Sequence, residues 1–116
     1  IALRRSADGS LVLPKGHIEA DEAAWQTAVR EVREEMGLLA QVAGWAGTLR
    51  ITSRGIERHI AFLTATAEPA PEFADHLGHD TFLFTPEDAV QALSHEPARA
   101  LLRETLARAA WTGAGP

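Results

Sequence analysis

Three glutamates, Glu31, Glu34 and Glu35, lie close together in the stretch REVREEMG. Their spacing of three and four residues places them on one face if the stretch is helical, and like charges so placed repel one another. They also lie toward the C-terminal end of such a helix, where the helix dipole disfavours anions. The cluster is therefore either a solvated helix face, which the helix alone favours, or a set of carboxylates gathered to bind a cation.

The cluster belongs to a longer pattern. Gly16 is followed after five residues by Glu22, and seven more residues separate Glu22 from Arg30 and Glu31. Residues 16–38 read G-x5-E-x7-R-E-U-x-E-E-x-G-U, where U is aliphatic, and all nine specified positions match. In this stretch the sequence resembles the Nudix hydrolase family. Nine fixed positions are far more specific than a short motif such as a lone GxGxxG.

The resemblance implies a fold and a domain organisation. The fold class is α/β (α+β), with a mixed β-sheet sandwiched between helices. We expect a single Nudix domain over residues 1–116, with the Nudix box at residues 16–38. Because the family normally has a strand before IALRR, we expect that first strand to be missing and the domain to be N-terminally truncated.

The resemblance also assigns roles to five charged residues. Glu31, Glu34 and Glu35 would bind the metal and act in catalysis. Mg²⁺ prefers oxygen ligands and binds through a few carboxylates together with substrate phosphates; Mn²⁺ is the alternative ion. Glu22 and Arg30 would hold the loop against the helix and so orient the catalytic glutamates.

The loop LPKGHIE before the helix is expected to contact the substrate through Lys15, Gly16 and His17. Lys15 is the only lysine among 11 Lys and Arg residues, and a compact ammonium group suits a phosphate. The loop is similar in wording to that of diadenosine tetraphosphate and diphosphoinositol polyphosphate hydrolases. The implied activity is Mg²⁺-dependent hydrolysis of a phosphoanhydride bond in a nucleoside polyphosphate, with diadenosine tetraphosphate as a candidate.

Two alternatives to this activity stay open. The first is a housecleaning pyrophosphohydrolase of modified nucleoside triphosphates, which would use the same chemistry. The second is a Nudix-fold module that binds a nucleotide without cleaving it. Such modules are expected to lose box carboxylates, whereas the box is complete here.

The general base is not fixed by the pattern, because family members take it from different places. Glu31 is one candidate, and Glu57 on a later strand is another that could line the pocket. The later loop and its flank offer further candidates, which are Asp75, His76, His79 and Asp80. Trp45, Phe62, Phe73 and Phe82 are the aromatic candidates for stacking on a base, although Phe62 and Phe82 are expected to pack in the core.

Several elements must position these residues. A hairpin is predicted to turn at Asp8-Gly9, and a helix to begin at Asp21 or Glu22 and end at Gly37. Its apolar stripe comprises Ala24, Ala28, Val32 and Met36. Residues 38–53 suit one or two strands, and a strand is expected after a turn at Arg54-Gly55, with Ile60, Phe62 and Thr64 alternating.

The C-terminal third is predicted to contain a long loop over residues 67–80, a short buried strand, TFLF, and two helices. Thr85 is the expected N-cap of the first helix, with Pro86 as its first residue and Asp88 in the capping-box position. The final helix covers residues 96–111 and is followed by a tail. Its inward-facing residues are Leu101, Leu102, Leu106 and Ala109.

Composition excludes several classes of protein. A net charge of -5 disfavours nonspecific nucleic-acid binding, and no apolar run approaches the length of a membrane span. Cysteine is absent, which excludes disulfides and cysteine nucleophiles. The expected partner is a small-molecule nucleotide, a cytoplasmic location is the default, and a homodimer is left open.

Overall fold

The computed structural model describes residues 1–71 and 80–114. The strands are β1 (Ala2–Arg5), β2 (Leu11–Val12), β3 (Leu38–Ser53), β4 (Ile56–Pro69) and β5 (Thr81–Leu83). The helices are α1 (Ala24–Met36), α2 (Pro86–Ala92) and α3 (Glu96–Ala114). Within the described residues, no helix is both long enough and apolar enough to cross a membrane.

The strands form two antiparallel sheets, one with the order β2-β1-β5 and one made of β3 and β4. In the first sheet Arg4 lies opposite Val12 on one side and Thr81 on the other. In the described part of the chain, parallel pairing is limited to an isolated bridge between Leu11 and Leu93. The α/β fold class is confirmed, and the expected mixed sheet takes the form of these two sheets. Pro14 lacks the N–H that a longer β2 would need for its ladder.

The main core lies between the first sheet and the two C-terminal helices. Leu3 of β1, Ala89 of α2 and Leu93 are almost fully buried, and Ala98 of α3 packs with them. Since side chains alternate along a strand, Leu3 and Arg5 share the face covered by α2 and α3, and Arg4 points to the opposite face. That opposite face is the one that meets α1.

Both predicted turns are present. At the first, the Ser6 N–H donates to the Ser10 carbonyl (2.8 Å) and Gly9 has a φ of 89°. The second joins β3 to β4 through Arg54 and Gly55, whose φ values are 52° and 76°. Positive φ at both central residues matches the right-handed twist of a tight hairpin.

The first helix begins later than predicted. α1 starts at Ala24, preceded by Ala23, whose N–H donates to the Gln26 side chain (2.7 Å). Asp21 has a left-handed φ of 68° and cannot belong to the helix. The predicted end is confirmed: Gly37 adopts the left-handed conformation and its N–H donates to the Arg33 carbonyl (3.0 Å).

The predicted apolar stripe of α1 is only partly buried. Met36 is almost fully buried, whereas Ala24, Ala28 and Val32 are half-buried. The other buried position of α1 is Thr27. Sequence reasoning missed it because threonine is polar, and only the structure shows that its hydroxyl has a hydrogen-bond partner in Glu22. Burial of a threonine is tolerated when its hydroxyl has a hydrogen-bond partner.

The C-terminal third follows the prediction with three differences. The Thr85 side chain caps α2 by accepting from the Asp88 N–H (3.2 Å), and Pro86 is the first helical residue, as predicted. However, β4 extends to Pro69 into the predicted loop, and α3 runs through the first part of the predicted tail. The strand β5 is also less buried than predicted, since only Thr81 is buried. Residues 72–79 of the predicted loop lie outside the described residues.

Candidate functional site

Arg30 ties the loop before α1 to the helix. Its Nε donates to Glu22 (2.7 Å), and its Nη2 donates both to Glu22 (3.1 Å) and to the His17 carbonyl (3.2 Å). Glu22 also accepts from the Glu19 N–H (3.0 Å) and the Thr27 hydroxyl (2.8 Å). We call this network the brace; it consists of Glu22, Thr27, Arg30 and their contacts to loop residues 17–19. The bonds from Arg30 and Thr27 cross from the helix to the loop, and the bond from the Glu19 N–H to Glu22 lies within the loop.

The charges of the brace stabilise each other. The hydrogen bonds from Arg30 and from the Glu19 amide lower the pKa of Glu22 to about 2. In return, the hydrogen bond to Glu22 raises the pKa of Arg30. Glu22 is therefore ionised at any physiological pH. The structure places Glu22 and Arg30 between the loop and the helix; their role in orienting the catalytic glutamates stays a prediction.

Arg30 also reaches two of the three clustered glutamates. Its Nη1 donates to Glu31 (2.8 Å) and to Glu34 (3.3 Å). Glu31 is mostly buried, with 15% of its side chain exposed, whereas 59% of the Glu34 side chain is exposed. The repulsion expected among the three carboxylates is thus reduced by an arginine of the same helix.

Gly16 lies directly against the side chain of Glu31. A Cβ at position 16 would overlap the Glu31 carboxyl group, so a larger residue requires one of them to move. The sequence pattern specifies glycine here, and the structure supplies the physical reason. Close approach of the backbone brings the loop and Glu31 into contact.

Glu35, one helical turn after Glu31, faces Arg4 of β1. The distance from the Arg4 Nε to the Glu35 Oε2 is 3.9 Å, and neither atom has a hydrogen-bond partner among the described residues although both are buried. Burial raises the pKa of Glu35, the charge of Arg4 opposes this rise, and the neighbouring charge of Glu31 adds to it. We call these two residues the Arg4–Glu35 pair.

The donor set fits a hard divalent cation. Glu31 and Glu35 are close enough for their carboxyl groups to interact, and the buried Glu35 oxygen lacks a partner within the described part of the chain. The described residues of the chain contain no group of three or more His, Asp or Glu side chains arranged to hold a metal. Mg²⁺ commonly uses one or two carboxylates and completes its shell with water and substrate phosphates. The structure thus brings Glu31 and Glu35 together, and directs Glu34 toward Arg30.

Two of the candidate bases lie elsewhere. Asp80 accepts from the Arg5 guanidinium (3.0 Å), on the sheet face opposite to Arg4. Glu57 lies near the β3–β4 turn and forms an ion pair with Arg50 (2.8 Å). Three further candidates lie outside the described residues: Asp75, His76 and His79. Among the described candidates, Glu31 is the one at the contact between the loop and α1.

Comparison with known proteins identifies the family. The sequence model of the NUDIX domain matches residues 1–107. The chain belongs to the NUDIX family. The prediction of a Nudix hydrolase domain, made from the box of residues 16–38, is confirmed.

Solved structures with this fold include hydrolases. The structure is similar to a crystal structure of an Ap4A hydrolase from C. elegans, with a TM-score of 0.70 and 25% identity, over 91% of this chain and 83% of that one. It is also similar to the solution structure of the E. coli ORF135 protein, with a TM-score of 0.67 and 26% identity, over 94% and 81% of the two chains. The Nudix fold is therefore shared over most of each chain.

Two relatives match shorter stretches. A MutT-like protein from Streptomyces ambofaciens is 39% identical over 56 residues, which are 48% of this chain and 36% of that protein. A putative mutator protein MutT4 from Mycobacterium tuberculosis is 54% identical over 37 residues, which are 32% of this chain and 15% of that protein. The matched segments thus span well under half of these relatives.

The aromatic candidates of the Nudix domain differ in exposure. Phe82 was expected in the core, but 37% of it is exposed, with the Arg5 guanidinium 5.3 Å from its ring centre. This prediction was wrong because the β1–β5 ladder leaves Phe82 at the sheet edge. Phe62 is half-buried and Trp45 is 61% exposed; Phe73 lies outside the described residues.

The loop that was predicted to contact the substrate is exposed at Lys15, Gly16 and His17. Sequence reasoning missed Arg4, which lies twelve positions before the box. A signal was present, because two adjacent arginines in a strand must point to opposite faces. What the sequence could not show is that the face of Arg4 meets Glu35.

Proposed function

We propose that this Nudix domain hydrolyses a phosphoanhydride bond in a nucleoside polyphosphate, with Mg²⁺ or Mn²⁺ as cofactor. One observation carries the proposal: a buried, unpartnered oxygen of Glu35 lies beside Glu31, at the end of a helix fixed to an exposed loop by the brace. Hydrolysis of a phosphoanhydride requires positioning and charge neutralisation more than covalent help from the protein. In this proposal the brace would supply the positioning, and a cation held by Glu31 and Glu35 would supply the charge neutralisation.

Each residue then has a role in the reaction. Glu31 and Glu35 would hold the cation, whose charge neutralises the phosphate oxygens when it is bound. Glu34, which is exposed and held only by Arg30 among its described contacts, is free to supply a further oxygen after a side-chain rotation. Lys15 and the exposed loop backbone would contact the polyphosphate.

The reaction itself adds water across the anhydride. The water oxygen bonds to one phosphorus, the bond from that phosphorus to the bridging oxygen breaks, and the water proton passes to a general base. Glu31 is our proposed base among the described residues, because it lies at the loop with its carboxylate fixed by Arg30. The brace would keep that carboxylate in position.

Diadenosine tetraphosphate is the substrate we propose first. The amino-acid sequence of the LPKGHIE loop supports it, and so does the similarity to a structure described as an Ap4A hydrolase. Modified nucleoside triphosphates are the second candidate, which the MutT-like names of the two relatives favour.

A substrate panel tests this proposal. The protein is incubated with Mg²⁺ and with diadenosine tetraphosphate, ATP, an oxidised nucleoside triphosphate or an ADP-sugar, and the products are separated by anion-exchange chromatography. The first candidate yields two nucleotides, whereas a triphosphate yields a monophosphate and pyrophosphate. Hydrolysis of none of them, with the nucleotides still bound, would instead indicate a non-catalytic binding module.

Matched variants complete the test. Glu35→Gln and Glu31→Gln are expected to abolish hydrolysis, whereas Glu104→Gln on the exposed surface of α3 is the control and keeps it. Equal activity in all of these variants would exclude the proposed site.

A further inference from the structure

The Arg4–Glu35 pair is polar and buried but incomplete. The Arg4 Nε and the Glu35 Oε2 face each other at 3.9 Å, too far for a hydrogen bond, and no described residue bonds either atom. Buried polar atoms in native structures almost always have partners. An arginine and a carboxylate that stop short of bonding leave room for a ligand to satisfy each of them.

The two groups need ligands of opposite charge. The Glu35 oxygen accepts and is suited to a cation, whereas the guanidinium of Arg4 only donates and is suited to an anion. Arg4 keeps 32% of its side chain exposed, so part of the side chain is accessible to a solute. An arginine fork recognises phosphate oxygens through two parallel hydrogen bonds.

Arg4 is also fixed in place. Its backbone lies in the central strand of the β2-β1-β5 sheet, opposite Val12 on one side and Thr81 on the other. The hydroxyl of Thr81 in the neighbouring strand β5 donates to the Met36 carbonyl at the end of α1 (3.2 Å), which fixes β5, and β1 through its pairing with β5, against the helix that carries Glu35. The guanidinium is therefore held beside the carboxylate from a second element.

From this geometry we propose that Arg4 positions the polyphosphate and couples its binding to that of the cation. This rests on the proposed function. Without the cation, the positive charge of Arg4 partly neutralises Glu35. A cation that neutralised Glu35 would remove its attraction for Arg4, and the guanidinium would then be available to a phosphate oxygen. Cation and phosphate then strengthen each other's binding, and this linkage is reciprocal.

The proposal predicts changes of opposite sign in Arg4→Gln. Removing a positive charge beside the cation site should tighten Mn²⁺ binding about two- to fivefold, the scale of one partly exposed charge. The same variant should weaken binding of a phosphate chain in the presence of Mn²⁺ by at least about fivefold, since the coupling is lost. A residue that only supports the fold would weaken both.

The experiment measures binding, so it does not depend on turnover. Mn²⁺ binding is followed by the electron paramagnetic resonance signal of free Mn²⁺, and binding of methylene diphosphonate, which is not hydrolysed, by calorimetry with and without Mn²⁺. The variants are Arg4→Gln, Arg4→Lys and, as a matched surface control on α3, Arg103→Gln. Arg4→Lys keeps the charge but lacks the fork, so we expect near-native Mn²⁺ affinity and intermediate phosphonate affinity.

The outcomes separate this proposal from the proposed function. Unchanged phosphonate binding in Arg4→Gln, or a parallel loss of both ligands in Arg4→Gln and Arg4→Lys, would overturn the role of Arg4. If Arg4→Gln does not fold, the Lys variant decides: native affinity for both ligands overturns the proposal. A wild-type protein that binds both ligands cooperatively but hydrolyses nothing would refute the activity and leave the role of Arg4 standing.

Discussion

The two ends of α1 hold their charges in different ways. Toward the start, Arg30 forms the brace with Glu22 and the loop backbone and also bonds Glu31, through hydrogen bonds of 2.7–3.2 Å. At the end, Arg4 and Glu35 stand 3.9 Å apart with unpartnered atoms. A satisfied polar network gives rigidity, and an incomplete one in a low-dielectric setting costs free energy until something completes it. We therefore expect the first end to act as a scaffold and the second to bind the ligands of the proposed reaction.

Glu35→Gln should produce the largest effect, because it removes a charge at the reactive end. We expect kcat to fall by about 10²- to 10⁴-fold while the fold is retained, since glutamine fills the same space without the cost of a buried charge. Steady-state kinetics on the best substrate of the panel measures this. Glu104→Gln on α3 should keep wild-type rates, and a similar fall in that control would show that the loss is nonspecific.

Gly16→Ala should come next, since it disturbs the contact between the loop and Glu31 without changing any charge. The added Cβ would overlap the Glu31 carboxyl group, and a displacement of about 1 Å costs on the order of 10²-fold in rate. Gly44→Ala is the control, because its Cβ would meet only the Thr64 hydroxyl, at 3.3 Å. Full activity in Gly16→Ala would mean that Glu31 can move away without consequence.

Arg30→Lys tests the scaffold end. A lysine keeps the charge but cannot reproduce the fork that bonds Glu22 twice, so we expect a lower melting temperature. Loss of an orienting residue of this kind typically costs about 10- to 100-fold in activity, less than loss of Glu35. Arg103→Lys on α3 is the matched control. If Arg30→Lys were less active than Glu35→Gln, the division between scaffold and reactive ends would be wrong.

The smallest effect is the dependence of folding stability on pH. Ionisation of Glu22 near the start of α1 should stabilise the fold, and ionisation of Glu35 near its end should destabilise it. The pKa of Glu22 falls from 4.5 to about 2 on folding. Its contribution is therefore complete above pH 4.5 and is lost as the pH falls toward 2. The pKa of Glu35 rises on folding, so the folded state binds more protons at this site and loses stability as the pH rises through the raised pKa.

Melting curves without added metal check these signs. Glu22→Gln should make the melting temperature fall less steeply as the pH is lowered below 4.5. Glu35→Gln should raise the melting temperature near neutral pH. Asp8→Asn is the necessary comparison, since hydrogen bonds from Ser6 and Ser10 also lower the pKa of Asp8 to about 2. A Glu35→Gln protein that melts below the wild type at neutral pH would contradict the claim that the buried, unpartnered Glu35 carboxylate destabilises the folded state.

Local patterns in the sequence predicted much of the fold because local geometry determines them. Gly37 ends α1 since glycine adopts the left-handed conformation at low cost, and Thr85 with Pro86 begins α2 through a short-range hydrogen bond. Where the prediction was wrong, contacts between residues distant in sequence determined the structure. Phe82 lies at a sheet edge because β5 pairs only with β1 among the described strands, and nothing in TFLF shows that.

For the site, the sequence by itself determined which residue types stand at which spacing: a box of carboxylates, an arginine and glycines, which identified the family. Such spacing is meaningful because a helix fixes which side chains share a face. Only the tertiary structure decided how those residues divide. It brought Arg4 of a separate strand to Glu35 and left that pair unbonded. These are contacts between elements, and residue spacing along one helix contains no information about them.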